Sequence, residues 1–150
     1  MADAEAVLIA EAVKDLLAAA TLSQEIEAER KWLPRKKLSE MEDAIYVTVV
    51  PRSQTSEILG RAETAHVYYV DVAVQNRPEN LTNAKLDPLA YLVDEIRTLL
   101  LGQRLASPTA RCIAAKIPGE AEGAIAWPDH LDELRQFTSI MTLTYKLVTI

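Results

Sequence analysis

The stretch from Phe137 to Ile150 constrains the fold more than any other part of this chain. Phe137, Met141, Leu143, Tyr145 and Leu147 fall on one side at period two, and Thr138, Thr142, Thr144 and Lys146 fall on the other. This alternation describes a long strand that buries one face and wets the other. A strand of that quality predicts an end of the chain tied into a sheet.

The rest of the sequence supplies partners for that strand. Ala6, Ile9, Ala10, Val13, Leu16, Leu17 and Ala20 recur at helical spacing, with Asp3 as the expected N-cap. A second helix reads from Asp87 as cap and Pro88 in the first turn, through Leu89, Leu92, Val93, Ile96, Leu99 and Leu100, to Gly102 as terminator. Ala44–Val50 reads as a strand with Ile45, Val47 and Val49 on one face, stopped by Pro51. Residues 51–63 read as a polar loop with a bend at Gly60. Ala65–Gln75 is a second long strand with Tyr68, Val70, Val72 and Val74 facing inward, expected to pair with its predecessor. Arg111–Ile117 reads as a shorter strand with Ile113, Ala115 and Ile117 inside, and residues 119–136 as loop.

Residues 22–33 are open to two readings. Leu22, Ile26 and Leu33 could continue a helix, but Leu22, Gln24, Ile26, Ala28, Arg30 and Trp32 alternate with Ser23, Glu25, Glu27, Glu29 and Lys31, which favours a strand. Leu33 precedes Pro34, and that pairing ends the element. The element order is therefore α-(β)-β-β-α-β-β. One apolar stripe per helix and one inner sheet face predict an α+β fold, with both helices on one face of a mostly antiparallel sheet. The sheet's other face is expected to be polar or weakly apolar and open to water or partners. No linker or repeat divides the chain, so residues 1–150 are read as one domain, with 22–43 as a charged arm or edge strand inside it. A chain of this length buries about 70% of its unfolded surface and needs no disulfide or metal to hold a core.

Chemistry is harder to find. The two histidines, His66 and His130, lack a ligand pattern, and a metal site needs three or four converging donors. Cys112 lies among small apolar neighbours, where a buried thiol is expected; a single cysteine also points to a reducing compartment. Asp71 is expected on the outer sheet face, and Asp94 and Glu95 toward water. Four glycines offer no phosphate loop, and no nucleophile elbow is present. The expectation is a protein with no catalytic residues, no cofactor and no metal. The net charge of −6 opposes broad nucleic-acid binding. The acidic start Met1 to Glu5 does not read as a signal peptide, and no apolar run reaches membrane length, so no membrane association is expected. The one suggestive constellation is charged: Glu25, Glu27 and Glu29, then Arg30, Lys31, Arg35, Lys36 and Lys37. It reads as a solvated face, as an acidic row meeting a neighbour's basic end, or as a DNA contact that the glutamates weaken.

In element order the chain resembles the tail terminator (tail completion) proteins of long-tailed bacteriophages. The resemblance rests on the N-terminal helix, the strand Ala44-Ile-Tyr-Val-Thr-Val-Val-Pro51, the strand His66–Gln75, the Asp-Pro helix and the last strand Phe137–Val148. Glu27-Ala-Glu-Arg-Lys-Trp-Leu-Pro34 and Gln136-Phe-Thr-Ser-Ile-Met-Thr-Leu-Thr-Tyr145 are similar to segments of uncharacterised phage structural proteins. The resemblance implies a subunit that assembles with itself into a ring, commonly a hexamer. It also implies the tail tube protein and the head–tail connector proteins as partners. DNA would pass through the ring without specific binding. The expected location is the head–tail junction of the virion, after assembly in the host cytoplasm. Thr144 on the wet face and the charged segment are the expected contacts. A connector or stopper subunit touching exiting DNA is the alternative, and a small cytoplasmic enzyme using His66, Asp71 and His130 is a third reading.

Overall fold

The computed structural model describes residues 3–33, 44–106, 108–116, 126 and 136–149. Its elements are α1 (Glu5–Ala19), β1 (Glu27–Arg30), β2 (Tyr46–Ile58), β3 (Thr64–Asn76), α2 (Asn83–Leu100), β4 (Arg111–Lys116) and β5 (Phe137–Thr149). The five strands form one sheet in the order β1-β2-β3-β5-β4, with β1 parallel to β2 and every other pair antiparallel. The fold is α+β in the expected order.

Register shows why one face is apolar. Val47 opposes Val74 and Val49 opposes Val72; Val72 opposes Met141, Val70 opposes Leu143, and Tyr68 opposes Tyr145. These side chains share a face because opposed residues in a sheet point the same way. They join Ile9, Val13 and Leu17 of α1 and Leu92, Val93, Ile96 and Leu100 of α2 in one core. The helix α1 lies against β1 and β2, and α2 against β5. The alternation read in Phe137–Leu147 is this inner face.

Several local expectations need correction. Pro51 does not stop β2. It sits where the β2–β3 register shifts between Pro51 and Ser53, and a bulge tolerates a missing N–H. Beyond it the polar residues 52–58 continue the strand, pairing as far as Ile58 with Thr64. The loop expected over 51–63 is therefore a ribbon with a tight end, where Leu59 N donates to Glu63 O at 2.9 Å. Asp3 does not cap α1; Ala4 holds that position without a side-chain cap. The helix α2 begins at Asn83 after Thr82, so Asp87 and Pro88 lie inside it. Asn80 Oδ1 organises that start by accepting from Thr82 Oγ1 at 2.7 Å. Gly102, at φ 82°, ends the helix as expected, in the left-handed region that suits glycine.

In β4 the inward residue is Cys112, and Ile113 is 53% exposed. A bulge between Cys112 and Ala114 turns Ile113 out while Ala115 still meets the core. Ile117 lies outside the described residues. The strand read over 22–33 narrows to Glu27–Arg30, with Leu22 and Ile26 packed against the core ahead of it.

The outer sheet face is not open throughout. Thr48, Val50, Ala73, Gln75, Thr138, Ile140 and Thr142 on that face are buried. These side chains are mostly small or β-branched, and a threonine methyl buries as readily as it hydrates. The charges on this face surround the buried patch: Glu27 and Glu29 on β1, Arg52 and Asp71 at its border, and Arg111, Lys116 and Lys146 on the β4 side. The distal part, carrying residues 53, 55, 57, 67, 144, 146 and 148, remains accessible.

Candidate functional site

The charged segment divides into parts with different roles. Glu25 and Glu27 are exposed, and Glu29 is half-buried with Lys31 Nζ at 3.1 Å from its carboxylate. Arg30 turns toward α1, where its Nε donates to Glu11 Oε1 at 2.6 Å, and its guanidinium lies 5.7 Å from the Trp32 ring centre. The Arg30 hydrogen bond holds the Glu11 carboxyl below its usual range, with Lys14 adding to the effect. Arg30 therefore pins β1 to α1. Arg35, Lys36 and Lys37, the basic end of the expected contact, lie outside the described residues. Of the acidic row, Glu27 and Glu29 lie on β1 and Glu25 stands just ahead of it.

On the outer face the β2 bulge brings Arg52 to Asp71 and Thr142. Thr142 Oγ1 donates to Asp71 Oδ1 at 2.6 Å, Arg52 Nη1 donates to Thr142 Oγ1 at 3.3 Å, and Arg52 and Asp71 stand 3.7 Å apart. The Asp71 side chain is only 13% exposed, so it is a satisfied acid at the border between the buried and open halves. Thr144 opposes Tyr69 and Ala114 on this face and is half-buried.

His66 lies on the helix-side face of the ribbon. Its Nδ1 is 2.8 Å from Ser56 Oγ, its Nε2 is 3.3 Å from Thr149 Oγ1, and its ring stacks near Tyr68. It cross-links β2, β3 and β5. Among the described residues no acid is bonded to it as a base would need, and His66 and Asp71 sit on opposite faces. His130 lies outside the described residues. Burial pushes the Cys112 thiol up, away from the thiolate a nucleophile needs. Its neighbour Tyr145 is likewise pushed up by burial, then by the thiol. Glu95, expected to face water, receives the Ser23 backbone N–H at 3.1 Å and the Ser23 hydroxyl, tying the α1–β1 connection to α2. Among the described residues, no three His, Cys, Asp or Glu side chains converge as metal ligands. No helix among them is long and apolar enough to cross a membrane.

What sequence reading missed is the ribbon. Residues 52–58 of β2 are exposed throughout, and they run past the end of β1, whose pairing stops at Arg30 with Val49. The available signal was the absence of Gly, Asn or Asp between Pro51 and Gly60, since a loop of that length normally contains them. Compared with known protein families and with curated proteins, the chain matches none.

Proposed function

We propose that this chain is a structural virion protein, a tail-terminator-type subunit whose ring caps the phage tail tube and joins it to the head connector. The observation that carries the reading is the architecture: α1, β2, β3, α2 and β5 follow in the order of the resemblance, with both helices on one face of one sheet, and β1 and β4 are added to that pattern. Among the described residues, the candidates His66, Asp71 and Cys112 are absorbed in structural contacts. Such a subunit works by surface. The accessible candidates are the acidic row at β1, the open outer face around Thr144 and the projecting ribbon. A ring repeats one heterologous contact, so two unlike surfaces of each subunit must fit one another. The partners in this reading are further copies of the chain, the tail tube protein and the connector proteins, with DNA passing through the lumen. Labelling the chain in intact particles tests it. The label should mark the head-proximal end of the tail, and a label absent from the particle, or spread along the tail, contradicts the proposal.

A further inference from the structure

The sheet has two edges, and they differ in how much backbone they leave bare. Along β4 the chain covers itself: Gly102 N donates to Cys112 O at 2.9 Å, Cys112 N donates to Gln103 O at 3.0 Å, and Leu105 N donates to Ala110 O at 2.8 Å. The β4 bulge and the charges of Arg111 and Lys116 blunt what is left. On the opposite side β1 covers β2 only as far as Lys31, whose N–H donates to Val49 O at 3.0 Å. From Arg52 to Ile58 no described strand pairs with the outer edge of β2, and every residue is exposed. Among the described residues it is the one long bare strand edge. Backbone donors and acceptors on such an edge are a template for another strand.

We propose that this edge pairs antiparallel with the same edge of a second copy of the chain, joining two sheets across a two-fold axis at Thr55. An antiparallel pair preserves the two faces, so residues on the same face must oppose one another. The register that keeps faces matched sets Thr55 against itself, Ser53 against Glu57 and Gln54 against Ser56, with Arg52 on the bulge just outside the paired run. The bulge places Arg52 on the same face as Ser53, as its contacts to Asp71 and Thr142 show. The Arg52 guanidinium stays with those two residues over the sheet, so the backbone and the uncharged run Ser53-Gln54-Thr55-Ser56 carry the pairing. Threonine opposite threonine is a favourable cross-strand pair.

The ends of the run fit as well. Trp32 and Leu33, 65% and 73% exposed, leave β1 where the bare edge begins. Ile58 and Leu59, 79% and 50% exposed, form the ribbon's tip where that edge ends. In the proposed register the tip of one copy abuts Trp32 and Leu33 of the other, so four exposed apolar side chains per end lose water together. This edge is self-complementary in backbone and in apolar pattern. The contact is isologous and closes at two copies. It does not rest on the ring reading, whose repeated contact is heterologous. Its small extent places it among weak interfaces, populated at high protein concentration.

The experiment uses the full chain at about 100 μM, on the order expected for an interface of this size. Sedimentation should show an even-numbered assembly. Thr55→Lys sets like charges face to face at the axis and should weaken it about fivefold or more. Thr55→Glu should do the same, and an equal mixture of the two variants should restore association as mixed pairs. Thr55→Cys should give a covalent dimer on oxidation, because directly opposed strand positions meet disulfide geometry; Cys112 is buried and silent. Circular dichroism confirms that each variant keeps the fold. A monomeric wild type, a Thr55→Lys variant that associates like wild type, or a mixture that stays apart overturns the proposal. So does capture of a different strand at this edge in place of a second copy.

Discussion

Leu143→Ala is the sharpest probe of the register on which the fold rests. Leu143 is 0% exposed, opposed by Val70 on one side and Ala115 on the other, within the core shared with α2. Deleting a buried leucine side chain costs about 2–5 kcal/mol, more where the surroundings cannot collapse. Here both lateral neighbours belong to strands hydrogen-bonded on either side, so the cavity persists and about 4 kcal/mol is expected. Thr144, the next residue, points to the other face and is half-buried. Thr144→Ala should cost under about 1 kcal/mol, the span of strand propensity. In urea, with a slope of about 2 kcal/mol/M, Leu143→Ala should lower the midpoint by about 2 M at unchanged slope. Thr144→Ala should move it by less than about 0.5 M. A Thr144 variant as damaged as the Leu143 variant would mean a register shifted by one residue, which turns every side chain of β5 to the wrong face.

Three further outcomes follow from named contacts. Glu11 and Arg30 form a partly exposed pair, so Glu11→Gln should cost about 0.5 kcal/mol at neutral pH. Because the folded-state carboxyl is held below its ordinary value of 4.5, that contribution is present above 4.5 and lost as pH falls through the lowered value; wild type and variant should converge in acid denaturation curves. The Tyr68 hydroxyl donates to Glu5 Oε2 at 2.6 Å, and burial, then Glu5, push its ionisation from 10 to about 12. Its contribution is therefore whole below 10 and lost as pH rises toward 12. The phenolate absorbance missing from Tyr68→Phe should appear only near the top of that range, and ionisation near 10 would contradict the contact. Tyr145 Oη is buried and, among the described residues, has the Cys112 thiol as its one weak partner, so Tyr145→Phe should be neutral or mildly stabilising in urea.

Periodicity made the inner face of this fold legible. In β5 the odd positions from Phe137 to Leu147 announce burial, and in β3 the even positions Tyr68 to Val74 do the same, because long strands with one dry face repeat every two residues. Both helices could be placed from their own repeat, apolar residues recurring every three or four positions. Boundaries failed where a second physical term intervened. Pro51 reads as a stop, yet a bulge absorbs its missing donor. Asp87 and Pro88 read as a helix start, yet Thr82 already opens the helix. Ile113 reads as core, yet a one-residue bulge hands that place to Cys112. The ribbon was invisible because polar residues on both faces leave no burial period to detect. Arg30 looked like surface charge, and only the tertiary placement of Glu11 on α1 shows what holds it.

Imaging tail tubes assembled with and without the purified chain tests the central claim most directly. The account predicts that tubes formed with the chain end at one tip in a ring of its subunits, and that tubes formed without it lack that cap. Tubes that remain bare at both ends, with the chain free in solution, would contradict it.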